Sequence, residues 1–185
     1  MKSHPNANYV SNDDVQTPPE LALGIMRHFK PSGIFFEPCK GDGAFIKALG
    51  RWQASATKEG ESSPVQRTEW SEIKEGRDFL NPHYYVIKAD WLITNPPWSK
   101  VREFLQRSMQ IADNIVFLMT VNHCWTKARV RDVKEAGFGL KEILLCDMPK
   151  EFPQSGFQLG AMHWQRGWKG DIKLSSLETP SKIHV

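Results

Sequence analysis

The sequence predicts an α/β fold: a three-layer α/β/α sandwich around a mostly parallel sheet that closes in an antiparallel hairpin. Three observations point to it. Short apolar runs at 34–36, 115–119 and 143–146 alternate with stretches of helical periodicity, the order that places helices on both faces of a sheet. Positions 115–119 are apolar without interruption, as a strand buried on both faces requires. Gly41 and Gly43 separate the first run from a helical pattern, which opens a crevice at the carboxyl ends of the strands.

A chain of 185 residues is long enough for one domain with a real core. A net charge of +3 permits a polyanionic partner without requiring one. No apolar run approaches the ~18 residues of a membrane span, and the polar N-terminus has no signal-peptide character. A cytoplasmic protein with no membrane partner is therefore expected. Cys39, Cys124 and Cys146 lie far apart, and His123 is adjacent to Cys124 rather than ligand-spaced. Neither a disulfide framework nor a metal site follows from that spacing.

Taken in order, residues 1–15 are polar and read as a flexible arm. Thr17-Pro18-Pro19-Glu20 reads as a helix start, with Thr17 as N-cap and Glu20 at the capping-box position, and Leu21, Ile25 and Phe29 follow on one face. The run 34–36 is a short buried strand. Phe45, Ile46, Leu49 and Trp52 mark the helix after the glycines. Residues 53–68 are polar and breaker-rich and read as a surface loop. Positions 70–73 read as the second strand, closing on Glu72 and Ile73. Leu92 and Ile93, flanked by Trp91, form a strand that stops at Pro96-Pro97. Val101, Phe104, Leu105 and Met109 share one face of a helix. A strand at 115–119, a helix over 127–136 closed by Gly137, a strand at 143–146 and an antiparallel partner at 159–164 complete the domain, taken as 16–170. Residues 171–185 read as a polar tail, and no segment is set aside as a separate target-recognition domain.

The chemistry concentrates at Asn95-Pro96-Pro97-Trp98. Each proline fixes φ and removes an N–H, and the residue before a proline is held extended. Asn95 and Pro96 thus offer two fixed oxygen acceptors beside an aromatic face. A planar exocyclic amine has two N–H donors to match. Held by both, its nitrogen is drawn towards a tetrahedral shape and its lone pair is freed for attack. Trp98 would stack on the base, worth roughly 1–3 kcal/mol. Upstream, Glu37-Pro38-Cys39-Lys40-Gly41-Asp42-Gly43-Ala44-Phe45 lacks the Gly-Lys-Ser/Thr of a phosphate loop. An acid at that strand end suits a cationic ligand instead.

Asn95-Pro96-Pro97-Trp98 resembles the Asn/Asp-Pro-Pro-aromatic motif of S-adenosylmethionine-dependent methyltransferases acting on exocyclic or amide nitrogens, above all the DNA adenine-N6 enzymes. The string from Glu37 to Phe45 resembles that family's Asp/Glu-Pro-x-x-Gly-x-Gly/Ala-x-Phe signature. The resemblance implies a Rossmann-like class I methyltransferase fold with a seven-stranded sheet. It implies S-adenosylmethionine as cofactor, with N6-methyladenine and S-adenosylhomocysteine as products.

Carried onto this chain, the resemblance gives Asn95, Pro96, Pro97 and Trp98 the catalytic role. Thr17, Pro18 and Pro19 cover the methionine end of the cofactor, which Glu37, Pro38, Gly41, Gly43 and Phe45 hold. Glu72 with Ile73 takes the ribose, and Asp78 with Phe79 flanks the cofactor adenine. Phe152 or Phe157 faces the target base. Only five residues separate Glu72 from Asp78, so one helix of the usual pattern is expected to be lost. Basic residues follow the central motif: Lys100, Arg102, Arg107, Lys127, Arg129, Arg131 and Lys134. Lys100 and Arg129 are the pair expected at a phosphate-bearing rim.

DNA is the expected partner, read with low or short sequence specificity, as in compact enzymes of bacteriophages and mobile elements related to restriction–modification. A partner subunit is the other source of target recognition. RNA adenine or a protein glutamine amide are alternative substrates, and a catalytically silent nucleic-acid-binding subunit is the alternative outside enzymology.

Overall fold

A computed structural model describes residues 13–58, 64–83, 87–154 and 156–177. Its strands are β1 (Gly33–Glu37), β2 (Val65–Trp70), β3 (Ala89–Thr94), β4 (Ala112–Thr120), β5 (Phe138–Cys146), β6 (Leu159–Arg166) and β7 (Lys173–Ser176). They form one seven-stranded sheet in the order β2-β1-β3-β4-β6-β5-β7. β1 pairs parallel with β2 and β3, β3 with β4, and β5 with β7, while β6 runs antiparallel between β4 and β5. The helices are α1 (Pro19–Phe29), α2 (Ala44–Lys58), α3 (Val101–Ile111) and α4 (Lys127–Glu135).

Strand alternation divides the core in two. Phe35, Ile93, Val116 and Leu118 face α1 and α2 with Leu23, Met26, Phe45 and Leu49. Phe36, Leu92, Ile115, Phe117 and Met119 face α3 and α4 with Val101, Phe104, Leu105, Met109 and Val133. Successive side chains of a strand point to opposite faces, so an unbroken apolar run serves both layers at once. The predicted inner face of α3 is the observed one: Val101, Phe104, Leu105 and Met109 are all buried, each contributing roughly 1.5–3 kcal/mol of apolar transfer.

Four expectations are corrected. The helix after the glycines runs to Lys58 and β2 begins at Val65, within the stretch read as a loop. Trp52 and Ala56 are buried on its inner side, but β2 is an edge strand with three successive exposed residues, so alternation is weak. The second strand therefore ends at Trp70, and Ile73 lies in a 3₁₀ turn, Ile73–Glu75. Thr17 does not cap α1: the cap position is Pro18, without a side-chain bond, and Glu20 turns outward to Arg51. The tail contributes β7, whose Lys173 and Ser175 side chains bind Glu142 of β5. Leu177 then packs where a Cβ on Gly24 of α1 would stand 3.0 Å from it.

The crossover from β2 to β3 holds no α-helix among the described residues. β1 leads to β2 on one side and stands beside β3 on the other, so the strand order reverses there. Crevices in open α/β sheets form at such a point.

Candidate functional site

The carboxyl ends of β1, β2 and β3 open onto a cleft of about 570 Å³, within the 300–1,000 Å³ range of small-molecule sites. Eleven of the predicted residues lie on its wall: Thr17, Pro38, Gly41, Phe45, Glu72, Ile73, Asp78, Phe79, Asn95, Pro97 and Lys100.

The glycine loop is built by close backbone approach. Gly41 has φ +50° and Gly43 φ +80°, the left-handed region that favours glycine. A Cβ on Gly41 would stand 2.4 Å from Gln16 Oε1. The Glu72 carboxylate accepts the Gly41 amide at 2.8 Å and the Lys74 amide at 3.0 Å. Ser71, fully buried, closes the loop from below. Its amide donates to the Glu37 carbonyl, its hydroxyl to the Pro38 carbonyl, and its own carbonyl accepts from Lys40. Sequence reading missed Ser71, and a lone serine carries no pattern by which to find it.

Glu37 lies beneath the loop rather than on the cleft wall. Its Oε1 accepts the Cys39 amide at 3.0 Å, while Oε2 has no hydrogen-bond partner. Burial pushes its carboxyl up to about 8; the Thr94 hydroxyl and the Cys39 amide ease this, and the Glu72 charge adds to it. The Thr94 hydroxyl stands close enough to act on the charge without completing a bond in hydrogen-bond geometry, and is itself unpartnered. An orphaned buried carboxylate oxygen under a glycine turn fits a ligand with positive charge.

At the other end of the cleft, Asp78 Oδ1 accepts the Leu80 amide at 2.9 Å. Phe79 is 2% exposed and packs on Phe36 and Phe104 with ring centroids 5.7 and 5.3 Å apart. It presents only a margin to the cleft. Leu80 and Phe104 complete an apolar lining there, and Phe45 lines the cleft at the start of α2.

Asn95 and Pro97 stand on the wall, Pro96 is buried, and Trp98 is half-buried behind them. Asn95 Nδ2 donates to the Val15 carbonyl at 3.0 Å, which leaves Oδ1 as the acceptor end of the amide. The Trp98 indole is fixed on three sides. Its N–H donates to the Leu118 carbonyl at 3.3 Å, and its ring meets Phe152 at 5.9 Å and His123 at 6.2 Å. Burial lowers the pKa of His123, and the neighbouring Arg129 adds to this.

The remaining predicted residues are distributed differently. Pro18 caps and Pro19 opens α1, neither on the cleft wall, and Gly43 is buried away from that wall. Phe152 is 2% exposed and serves as core behind Trp98, whereas Phe157 is 56% exposed beside a separate cavity of about 240 Å³. Arg129 is partly buried and donates to the His123 carbonyl at 2.8 Å. Arg102 and Arg131 are paired with Asp132, which removes two of the basic residues grouped with Lys100. Asp13, Asp14, Val15 and Gln16, within or beside the stretch read as a flexible arm, form part of the cleft wall. Among the described residues no group of three or more His, Cys, Asp or Glu is placed to hold a metal ion. None of their helices is long and apolar enough to cross a membrane.

No protein-family model and no curated protein matches the chain. Solved structures do. A Listeria monocytogenes protein assigned to the class I S-adenosylmethionine-dependent methyltransferases matches with TM-score 0.64 at 11% identity, over 95% of this chain and 69% of that one. A modification subunit assigned to a type I restriction enzyme of Vibrio vulnificus matches with TM-score 0.59 at 13% identity, over 95% and 49%. The M protein of the type I restriction enzyme EcoKI matches with TM-score 0.58 at 13% identity, over 83% and 44%. This chain thus spans about half the length of those two subunits or less. The fold is that of the Rossmann-like class I methyltransferases.

Proposed function

We propose that this chain is an S-adenosylmethionine-dependent methyltransferase acting on N6 of adenine in DNA. The observation that carries the proposal is the Asn95 amide. It stands on the wall of a cleft continuous with the glycine loop, with its donor end tied back to Val15. Oδ1 is the acceptor that remains, and a target offering an N–H suits it better than one offering a carbonyl.

The site fits the cofactor by its donor set. Glu37 and Glu72 surround the glycine turn, which suits an ammonium and a sulfonium, and the Phe45, Phe79 and Leu80 surfaces suit a purine. When bound, S-adenosylmethionine supplies an electrophilic methyl group. Glu72 and Ser71 keep the turn open for it, Asp78 meets the amino edge of its base, and Thr17 covers its amino-acid end. Asn95 Oδ1 and the Pro96 carbonyl accept the two N–H groups of the target amine. Trp98, held by Leu118, Phe152 and His123, stacks on the target ring. Lys100 on the cleft wall suits a phosphate, and Phe157 is the exposed aromatic of the loop before β6. Extrusion of the base from a duplex costs a few kcal/mol, so an unpaired adenine reacts with the smaller barrier. The structural likeness to restriction-enzyme modification subunits supports DNA as substrate and a partner subunit as the source of sequence recognition.

Transfer of labelled methyl groups to plasmid DNA, to RNA and to cell protein tests the reading. Label in N6-methyladenine of DNA is the expected result. Label only in RNA or in glutamine would reassign the substrate, and no label in any of the three would leave a silent binding subunit.

A further inference from the structure

We propose that residues 13–16 are a latch that sets the orientation of the Asn95 amide, so that the site becomes competent only when this strap lies down. The inference rests on the methyltransferase reading above and deepens it. Four successive residues reach four different parts of the site. The Asp13 carboxylate accepts from the amide and the hydroxyl of Ser99, one residue beyond Trp98. Asp14 pairs with Lys74 at 2.7 Å in the turn after β2. The Val15 carbonyl accepts Asn95 Nδ2 at 3.0 Å, and Gln16 Oε1 accepts the Asp42 amide at 3.0 Å in the glycine loop. The strap therefore crosses from the Pro-Pro-Trp run to the cofactor loop and walls the cleft on the way.

An amide side chain has a donor end and an acceptor end of nearly the same shape, and its terminal torsion is broad and two-fold. The Val15 carbonyl tells the ends apart. With Nδ2 against it, Oδ1 accepts from the target amine. With the amide flipped, two oxygens would face each other and a donor would meet the amine. The contacts at Ser99, Lys74 and Asp42 are exposed, and exposed polar pairs contribute little each. The strap can thus open without unfolding the domain, as segments at the low-stability end do. Opening exchanges spent S-adenosylhomocysteine for fresh S-adenosylmethionine, and closing turns Asn95 to work. Asp13 is in this scheme a positioning residue that acts through Asn95.

The test uses Asp13→Ala and the conservative Asp13→Asn, whose Oδ1 still accepts from Ser99. In ¹⁵N-labelled protein with S-adenosylhomocysteine, one Asn95 Nδ2 proton should exchange slowly with solvent. Asp13→Ala should abolish that protection and Asp13→Asn restore it. In turnover, Asp13→Ala should lower kcat about five- to tenfold, the worth of one net hydrogen bond. In an Asn95→Asp background, where either carboxylate oxygen accepts and there is no end to choose, adding Asp13→Ala should change kcat by less than about twofold. Unchanged protection of the Asn95 amide in Asp13→Ala, or an equal kcat loss in both backgrounds, overturns the latch. If the wild-type protein transfers no methyl group, the methyltransferase reading falls, and the exchange measurement still decides the latch.

Discussion

The Glu72 carboxylate accepts the Gly41 amide at 2.8 Å, so the acid that caps the 3₁₀ turn after β2 holds the turn that follows β1. A residue assigned to ligand contact is thereby also part of the frame. Glu72→Ala should weaken S-adenosylmethionine binding by about 10- to 100-fold, the scale of a lost hydrogen bond to a charged group. Glu72→Gln, which keeps one acceptor oxygen, should lose less. Titration calorimetry of both variants distinguishes frame from direct contact.

Asn95→Ala should bind cofactor as the wild type does and turn over about 10²- to 10³-fold more slowly, the usual cost of one preorganised polar group at a reacting centre. Single-turnover methyl transfer beside calorimetry checks both halves. Undiminished turnover would remove Asn95 from the mechanism.

Gly41→Ala places a Cβ 2.4 Å from Gln16 Oε1 at φ +50°. The flexible Gln16 side chain can retreat, but the backbone strain stays, roughly 1–2 kcal/mol. Moving Gln16 also removes the bond to the Asp42 amide. A lowered Tm together with weaker cofactor binding is expected. Gly50→Ala in α2, with open space around the added methyl, should leave binding unchanged and raise helix stability by about 0.5–1 kcal/mol.

Glu37 gives the site a pH dependence. Its carboxyl is raised from 4.5 to about 8 in the folded protein, chiefly by burial. The folded state therefore keeps a proton that the unfolded state has lost between these values, and stability falls as pH rises through that window. A cationic ligand reverses the preference by favouring the ionised form, so cofactor affinity should rise with pH towards 8. Glu37→Gln should flatten both trends. Melting and binding curves between about pH 5 and 9 give the comparison.

What was legible in the sequence was what repeats or what clusters. The inner face of α3 follows from its period, and β4 from its unbroken apolar run. The glycine turn and the Asn-Pro-Pro-Trp string meet at one cleft, through Gly41, Asn95 and Pro97, because each sits at a strand end of the same sheet edge. The edges of the sheet were not legible. β2 exposes three of its six residues and β7 three of its four, so their patterns are those of loops, and register with a neighbour makes them strands. The strap was illegible for a different reason. Its contacts are hydrogen bonds to residues 26 to 86 positions away, and nothing in Asp13-Asp14-Val15-Gln16 announces a distant partner. Phe152 and Phe157 were indistinguishable as letters, and burial alone separates them.

The connection from β2 to β3, made without an α-helix among the described residues, bears on what the cleft will admit. Its wall at Asp78, Phe79 and Leu80 is turn and irregular chain, free of the i-to-i−4 bonding that stiffens a helix. Phe79 is anchored on Phe36 and Phe104, so synthetic cofactors enlarged on the purine ring should be tolerated better where they press on Asp78 and Leu80 than where they press on that ring.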